Sequence, residues 1–177
     1  MEQLIMNWVR SKSAALMEIE LPKEFTIRKF NRSEADVEAW LDIVQYGLTD
    51  GRGDRTLFQD LMEHHPGYDP NGVYFIEKNG IPCATISIFC NPVTLHGYIH
   101  MVCASPSVRG CGIGTALAGL AVNELISHGM ETAHLTTDDF RKPAIKTYLK
   151  AGFVPQRSGS DDFSARWDAI LDRKSVV

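Results

Sequence analysis

Apolar residues recur along this chain with two periods, and the switches between them mark candidate helices and strands. Leu4, Ile5, Trp8, Val9 and Leu16 approximate a helical stripe that stops before Pro22, predicting an N-terminal helical extension over residues 1–24. Alternation over residues 25–30 reads as a strand. Ser33, with Glu34 and Asp36 behind it, then opens a helix carrying Val37, Trp40, Leu41 and Val44. After a glycine-rich loop at 47–54, a second helix over about 55–64 presents Leu57, Phe58, Leu61 and Met62 and is stopped by Pro66 and Gly67. Residues 73–77 and 83–89, joined through Lys78, Asn79 and Gly80, have the turn chemistry and β-branched content of a hairpin, which a strand at 97–104 extends. A helix from about Ile113 to Ser127, a strand at 132–137 and a helix with Pro143 in its first turn and Gly152 past its end follow. Two last strands are expected at 153–156 and 163–167. The pattern predicts a mixed α/β sheet with helices on both faces.

The junction between the strand at 97–104 and the next helix holds the most informative chemistry. Residues 109–116 read Arg-Gly-Cys-Gly-Ile-Gly-Thr-Ala, and three alternate glycines lead straight into the helix. Glycine lets backbone approach a ligand, and the first helical turn offers unpaired N–H groups at the positive end of the dipole, so a phosphate or pyrophosphate is the natural guest. A P-loop would need Gly-Lys-Ser/Thr, but Gly114 is followed by Thr115 and Ala116. A dinucleotide fingerprint starting at Gly112 would need glycine where Leu117 stands and an acid near His134.

What remains is Arg-x-x-Gly-x-Gly behind a strand and a Ser105-Pro106 break. This resembles the acetyl-CoA site of the GCN5-related N-acetyltransferases, whose signature is Arg/Gln-x-x-Gly-x-Gly/Ala. A second stretch agrees: residues 144–153, Ala-Ile-Lys-Thr-Tyr-Leu-Lys-Ala-Gly-Phe, are similar to that family's later motif, Ala-Ile-x-x-Tyr-x-x-x-Gly-Phe. The likeness covers roughly residues 25–157. It implies a mixed, largely antiparallel central sheet with helices on both faces, a catalytic domain over residues 25–170 and a short tail at 171–177. It also implies acetyl-CoA as cosubstrate, with no metal. Val102, Cys103 and Ala104 would pair their backbone with the pantetheine arm, and a strand irregularity there would let an N–H face the thioester. Arg109, Gly110, Cys111, Gly112, Ile113, Gly114 and Thr115 would cradle the pyrophosphate.

Composition narrows the function classes independently. The chain has 177 residues, 44% hydrophobic, enough for one domain with a full core. A formal net charge of -4 without a basic block argues against nucleic acid as a direct ligand. Four cysteines without a CxxC pair fit a reduced, cytoplasmic setting. No apolar run approaches the ~20 residues of a membrane span, and no basic region with an apolar core opens the chain, so a soluble, unexported protein is expected. The N-terminal stripe reads as core packing or as a homodimer contact.

The resemblance assigns Tyr148 as general acid, since a phenol with the usual pKa of ~10 can protonate a thiolate. The plainer reading is a core tyrosine on the face shared with Ala144 and Ile145, and both can hold together. His100 is the candidate general base. In a regular strand it shares a face with Val102 and with Tyr98, which could hold a water. Asp138 and Asp139 could reach an ammonium or cap a helix, and the six histidines show no metal spacing such as HExxH. Arg141 stands where the family often has asparagine, and reads either as a cofactor-phosphate contact or as solvated. Cys111, near a helix N-terminus, reads as alkylation-sensitive or as simply packed. The expected reaction is direct amine attack on acetyl-CoA in a ternary complex, the acceptor being a small-molecule or peptide amine. A non-catalytic acyl-CoA binding or sensing module on the same fold is the rival.

Overall fold

The computed structural model describes residues 2–160 and 162–172. Seven strands form one sheet: β1 (Leu4–Val9), β2 (Phe25–Lys29), β3 (Val73–Lys78), β4 (Ile81–Asn91), β5 (His96–Ala104), β6 (Thr132–Thr137) and β7 (Val154–Pro155). Five helices accompany them: α1 (Glu34–Val44), α2 (Arg55–Phe58), α3 (Ile113–Ser127), α4 (Lys142–Lys150) and α5 (Phe163–Leu171). The sheet order is β2-β3-β4-β5-β6-β1-β7. Every pairing is antiparallel except β5 with β6, whose parallel geometry requires the crossover that α3 supplies.

The sheet separates two apolar cores. On one face Leu4, Ile86, Ile99 and Leu135 pack with Leu117 and Ala121 of α3 and Ile145 of α4. On the other, Phe75 and Phe89 pack with Trp40 and Leu41 of α1 and Phe58 of α2. Neighbouring residues of β5 divide between them, Ile99 joining the first core and Tyr98 the second, as the period-two alternation of a strand requires. α1 starts as expected: the Ser33 hydroxyl accepts the Asp36 N–H at 3.2 Å. Behind it the Asp36 carboxylate receives Arg28 at 2.7 and 2.8 Å. Burial alone would raise the Asp36 pKa, but the Arg28 and Asn31 hydrogen bonds outweigh it and hold the carboxyl below its ordinary value.

Three expected elements differ. Residues 4–9 are strand, not helix, and lie inside the sheet between β6 and β7. The i,i+4 spacing of Leu4 with Trp8 satisfies a period of two as well as one of 3.6; Met6, fully buried between them, selects the strand. The same ambiguity acts at residues 163–167, where a strand was expected. Phe163 and Trp167 are the first two contacts of α5, and Ile170 completes its buried face. The helix expected over 55–64 is one α-turn, α2, continued by a π-helical turn at Gln59–Glu63. The expected C-terminal tail begins at Leu171, the last residue of α5, and its residues 173–177 lie outside the described ones.

Candidate active site

The parallel pairing of β5 and β6 ends early. It runs from His96 with Thr132 to Ile99 with Leu135, after which β5 continues against β4 alone and Thr136 and Thr137 of β6 pair only with β1. The sheet therefore splits. Two cavities of about 290 Å³ each open at the split and share Val102, Ala144 and Tyr148 in their walls.

The first cavity is an apolar groove between β5, α3 and α4, walled by Val102, Cys103, Ala104, Leu117 and Pro143, with Arg109 and Gly114 at the glycine loop. Gly110 and Gly112 both adopt φ +79°, the left-handed region that a side chain rarely enters, and a Cβ at either would stand in open space. Gly112 is the N-cap of α3, and no side chain caps that helix. The orphan N–H groups of its first turn are thus free for an anion. Buried Ile113 anchors the turn, Cys111 is half-buried, and Arg109, Gly114 and Thr115 are exposed. The residues present fit a pyrophosphate followed by a slender arm running to the strand split.

β5 carries an irregularity beside that groove. Thr85 pairs with Cys103 and Ser87 with His100, so β5 has one residue more than β4 across this interval, and Met101 takes φ +50°. The bulge overturns the expectation that His100 and Val102 share a face: His100 lies with Tyr98 on the α1 side, whereas Val102 packs with the α3 core. The Cys103 thiol donates to the Ile43 carbonyl at 3.3 Å, and burial pushes it up to about 11. It is therefore kept as the thiol.

The second cavity shares Tyr148 with the first and is more polar. Gln3, Leu48, Leu61, Tyr98, His100, Thr137, Asp138 and Arg141 contribute to its wall. The His100 Nε2–H donates to the Leu61 carbonyl at 2.9 Å, which leaves Nδ1 to accept the Tyr98 hydroxyl at 3.1 Å. Burial, with a further contribution from His65, lowers the His100 pKa against the opposing pull of the Leu61 hydrogen bond, so the ring stands neutral. Arg141 donates to Asp138 at 2.8 Å and to the Gly47 carbonyl, and Gln3 donates to the other Asp138 oxygen at 3.1 Å. Burial would raise Asp138, but these hydrogen bonds prevail and lower it. Arg141 thus lines the polar chamber and not the groove beside the glycine loop. Asp139 turns away to Arg166 of α5, whose hydrogen bond holds it below the usual carboxylate range. Tyr148, in the wall of both chambers, is buried, and desolvation raises its phenol above the ordinary value.

The polar chamber has members that the motifs did not indicate: Gln3, Leu61 through its carbonyl, and Thr137. Only Thr137 left a trace in the sequence, as a hydroxyl on the buried parity of β6 after Ala133 and Leu135. Among the described residues, no three His, Cys, Asp or Glu side chains are grouped to hold a metal ion, and no helix is long and apolar enough to cross a membrane.

The model of the Acetyltransferase (GNAT) family matches residues 36–153, more than half of the chain, and the chain belongs to that family. A mycothiol acetyltransferase from Thermomonospora curvata is 28% identical over 149 residues, covering 81% of this chain and 48% of that protein. An uncharacterized N-acetyltransferase from Methanocaldococcus jannaschii is 26% identical over 164 residues, covering 86% of this chain and 71% of its own. The crystal structure of a GCN5-related N-acetyltransferase from Sphaerobacter thermophilus superposes with a TM-score of 0.68 at 18% identity, over 88% of this chain and 50% of that one. It shares the fold. The chain spans about half the length of the mycothiol acetyltransferases it matches.

Proposed function

We propose that the protein is an N-acetyltransferase that moves the acetyl group of acetyl-CoA to a primary amine by direct attack. The observation that carries this reading is the continuity of the site. An uncapped, glycine-lined helix N-terminus opens into an apolar groove that meets a polar chamber at one buried phenol, Tyr148. Acetyl-CoA would supply a diphosphate for the N–H groups of residues 110–115 and an acyl thioester for the chamber.

The groups of this chain then divide the work. The edge of β5 released by the split offers backbone at residues 102–104 along which a pantetheine arm can lie, beside largely apolar walls. Neutral His100 takes up the amine's proton through the Tyr98 hydroxyl, the phenol passing its own proton to Nδ1. Tyr148 holds a proton at Oη and gives it to the departing sulfur. One C–N bond forms, one C–S bond breaks, and the proton lost by nitrogen is balanced by the one gained at sulfur. Pre-positioning of both reactants supplies much of the rate.

The polar chamber supports an amine acceptor, small molecule or peptide. Its one carboxylate, Asp138, is already neutralised by Arg141, so a polycation finds no surplus of negative charge there. Thermal unfolding with acetyl-CoA, CoA, ATP and NAD at matched concentrations tests the ligand assignment. Acetyl-CoA and CoA should raise the transition, by ~2.7 kcal/mol at a hundredfold excess over Kd, while ATP and NAD should not approach that effect. Release of free CoA thiol across a panel of amines then tests the activity. Binding with no amine-dependent release would favour a sensing module.

A further inference from the structure

Among the described residues, three buried serine and threonine hydroxyls lie in this sheet. Two have partners: Thr85 Oγ1 donates to the Tyr74 carbonyl at 3.0 Å, and Ser87 Oγ meets the Met62 sulfur at 3.8 Å. The third, Thr137 Oγ1, has no hydrogen-bond partner among the described residues, although its residue is only 3% exposed. A buried hydroxyl without a partner is unfavourable, and folded chains seldom retain one without a use for it. The other buried side-chain atom without a partner among the described residues, Trp40 Nε1, is enclosed in aromatic packing against Phe58, and Trp40 lines neither cavity.

Thr137 is placed where a ligand would end. It is the last residue of β6, beyond the point at which β5 separates, and it lines the polar chamber but not the apolar groove. Val102, Ala144 and Tyr148 line both cavities, so an arm entering from the glycine loop would pass them before it reached Thr137. A threonine moves between staggered χ1 wells by exchanging the sites of its hydroxyl and methyl, so the donor can turn to a ligand without enlarging the site. We infer that Thr137 is a positioning residue whose hydroxyl donates a hydrogen bond to the carbonyl oxygen of the acetyl thioester. This rests on the proposal that acetyl-CoA occupies the split. An acetyl thioester presents an acceptor at that end which the free thiol of CoA lacks.

Calorimetric titration of acetyl-CoA and CoA into the wild type, Thr137→Val and Thr137→Ser, with thermal unfolding of each ligand-free protein, tests the inference. The valine variant should bind acetyl-CoA roughly five- to tenfold more weakly, the scale of one hydrogen bond. It should bind CoA as the wild type does. Serine should restore most of the acetyl-CoA affinity. Ligand-free Thr137→Val should unfold no lower than the wild type, because it loses a hydroxyl that had no partner. Wild-type affinity of the valine variant for acetyl-CoA would overturn the assignment. Equal weakening toward both ligands would overturn the thioester contact by moving it to the part they share. A lowered transition in the ligand-free valine variant would overturn it by revealing a partner within the fold. If the wild type binds neither ligand, the acetyl-CoA reading itself fails, and Thr137 with it.

Discussion

The two chambers that share Tyr148 are built from different materials. The groove at the glycine loop is apolar along its walls and offers backbone N–H groups at its mouth, all supplied by two segments, residues 102–117 and 143–148. The polar chamber is closed by side-chain hydrogen bonds between distant parts of the chain: Gln3 to Asp138, Arg141 to Gly47, His100 to Leu61. The first leaves the N-terminus of α3 without a side-chain cap, which under the proposed function is where the diphosphate binds. The other is largely satisfied without a ligand, so an acceptor has to compete with contacts already made. A backbone cradle works with many side chains around it, whereas a chamber of paired side chains can change its guest through single substitutions.

The contrast breaks most sharply at Gly112. Gly112→Asp places a carboxylate at the N-cap of α3, where it favours the helix dipole but repels a diphosphate. Calorimetry should show acetyl-CoA binding weakened about a hundredfold, or ~2.7 kcal/mol. The melting transition should fall by a few degrees, since Gly112 stands at φ +79°, where any side chain is strained and aspartate less than most. Near-normal binding would mean that the loop does not hold the anion. Tyr148→Phe comes next. The ring remains to fill its site against Phe153 while the proton is removed, so kcat should fall about a hundredfold with acetyl-CoA affinity within about twofold. A kcat that does not change would take Tyr148 out of the proton path.

The same division explains what the sequence could disclose. Both motifs of the groove are local, and β6 and α3 lie where their periodicity predicts, because each meets its main requirement within a few residues. β1 and α5 differ from the expected type where apolar residues four apart fit either period, and only the neighbours they meet in the fold decide between helix and strand. The bulge at Met101 carried no glycine to announce it, yet it decides which face His100 occupies. In the polar chamber, Gln3 and Asp138 are 135 positions apart. Only the sheet order, with β1 inserted beside β6, brings them together.

Tyr98→Phe probes the polar chamber directly. It deletes the donor to His100 Nδ1 but preserves the ring that stacks on His65 and His134, so kcat should drop about tenfold with the Kd for acetyl-CoA unaltered. Because the wild-type ring must be neutral to accept a proton and its pKa lies below the ordinary 6.5, the wild-type rate should hold near neutrality and decline only in more acid solution. In Tyr98→Phe that acid limb should disappear. A wild-type rate that already falls between pH 8 and 7 would remove His100 as the base.

The smallest effect concerns stability. Burial lowers the pKa of both His100 and His134, and His96, whose Nε2 stands 2.7 Å from His134 Nδ1, lowers the latter further. A histidine depressed in the folded state contributes stability that is complete above its unfolded value of ~6.5 and is lost as pH falls, because the unfolded chain takes up the proton first. The depressed carboxyls of Asp36, Asp138 and Asp139 act in the same direction, but only near and below pH ~4. Between pH 7.5 and 5.5 the histidines therefore dominate, and the ligand-free protein should unfold a few degrees lower at the acid end. His134→Asn should flatten that slope in part, leaving the share due to His100. Stability that rises toward pH 5.5 would mean that these rings gain protons on folding, and the polar chamber would then be a charged site in place of the neutral, internally paired one described above.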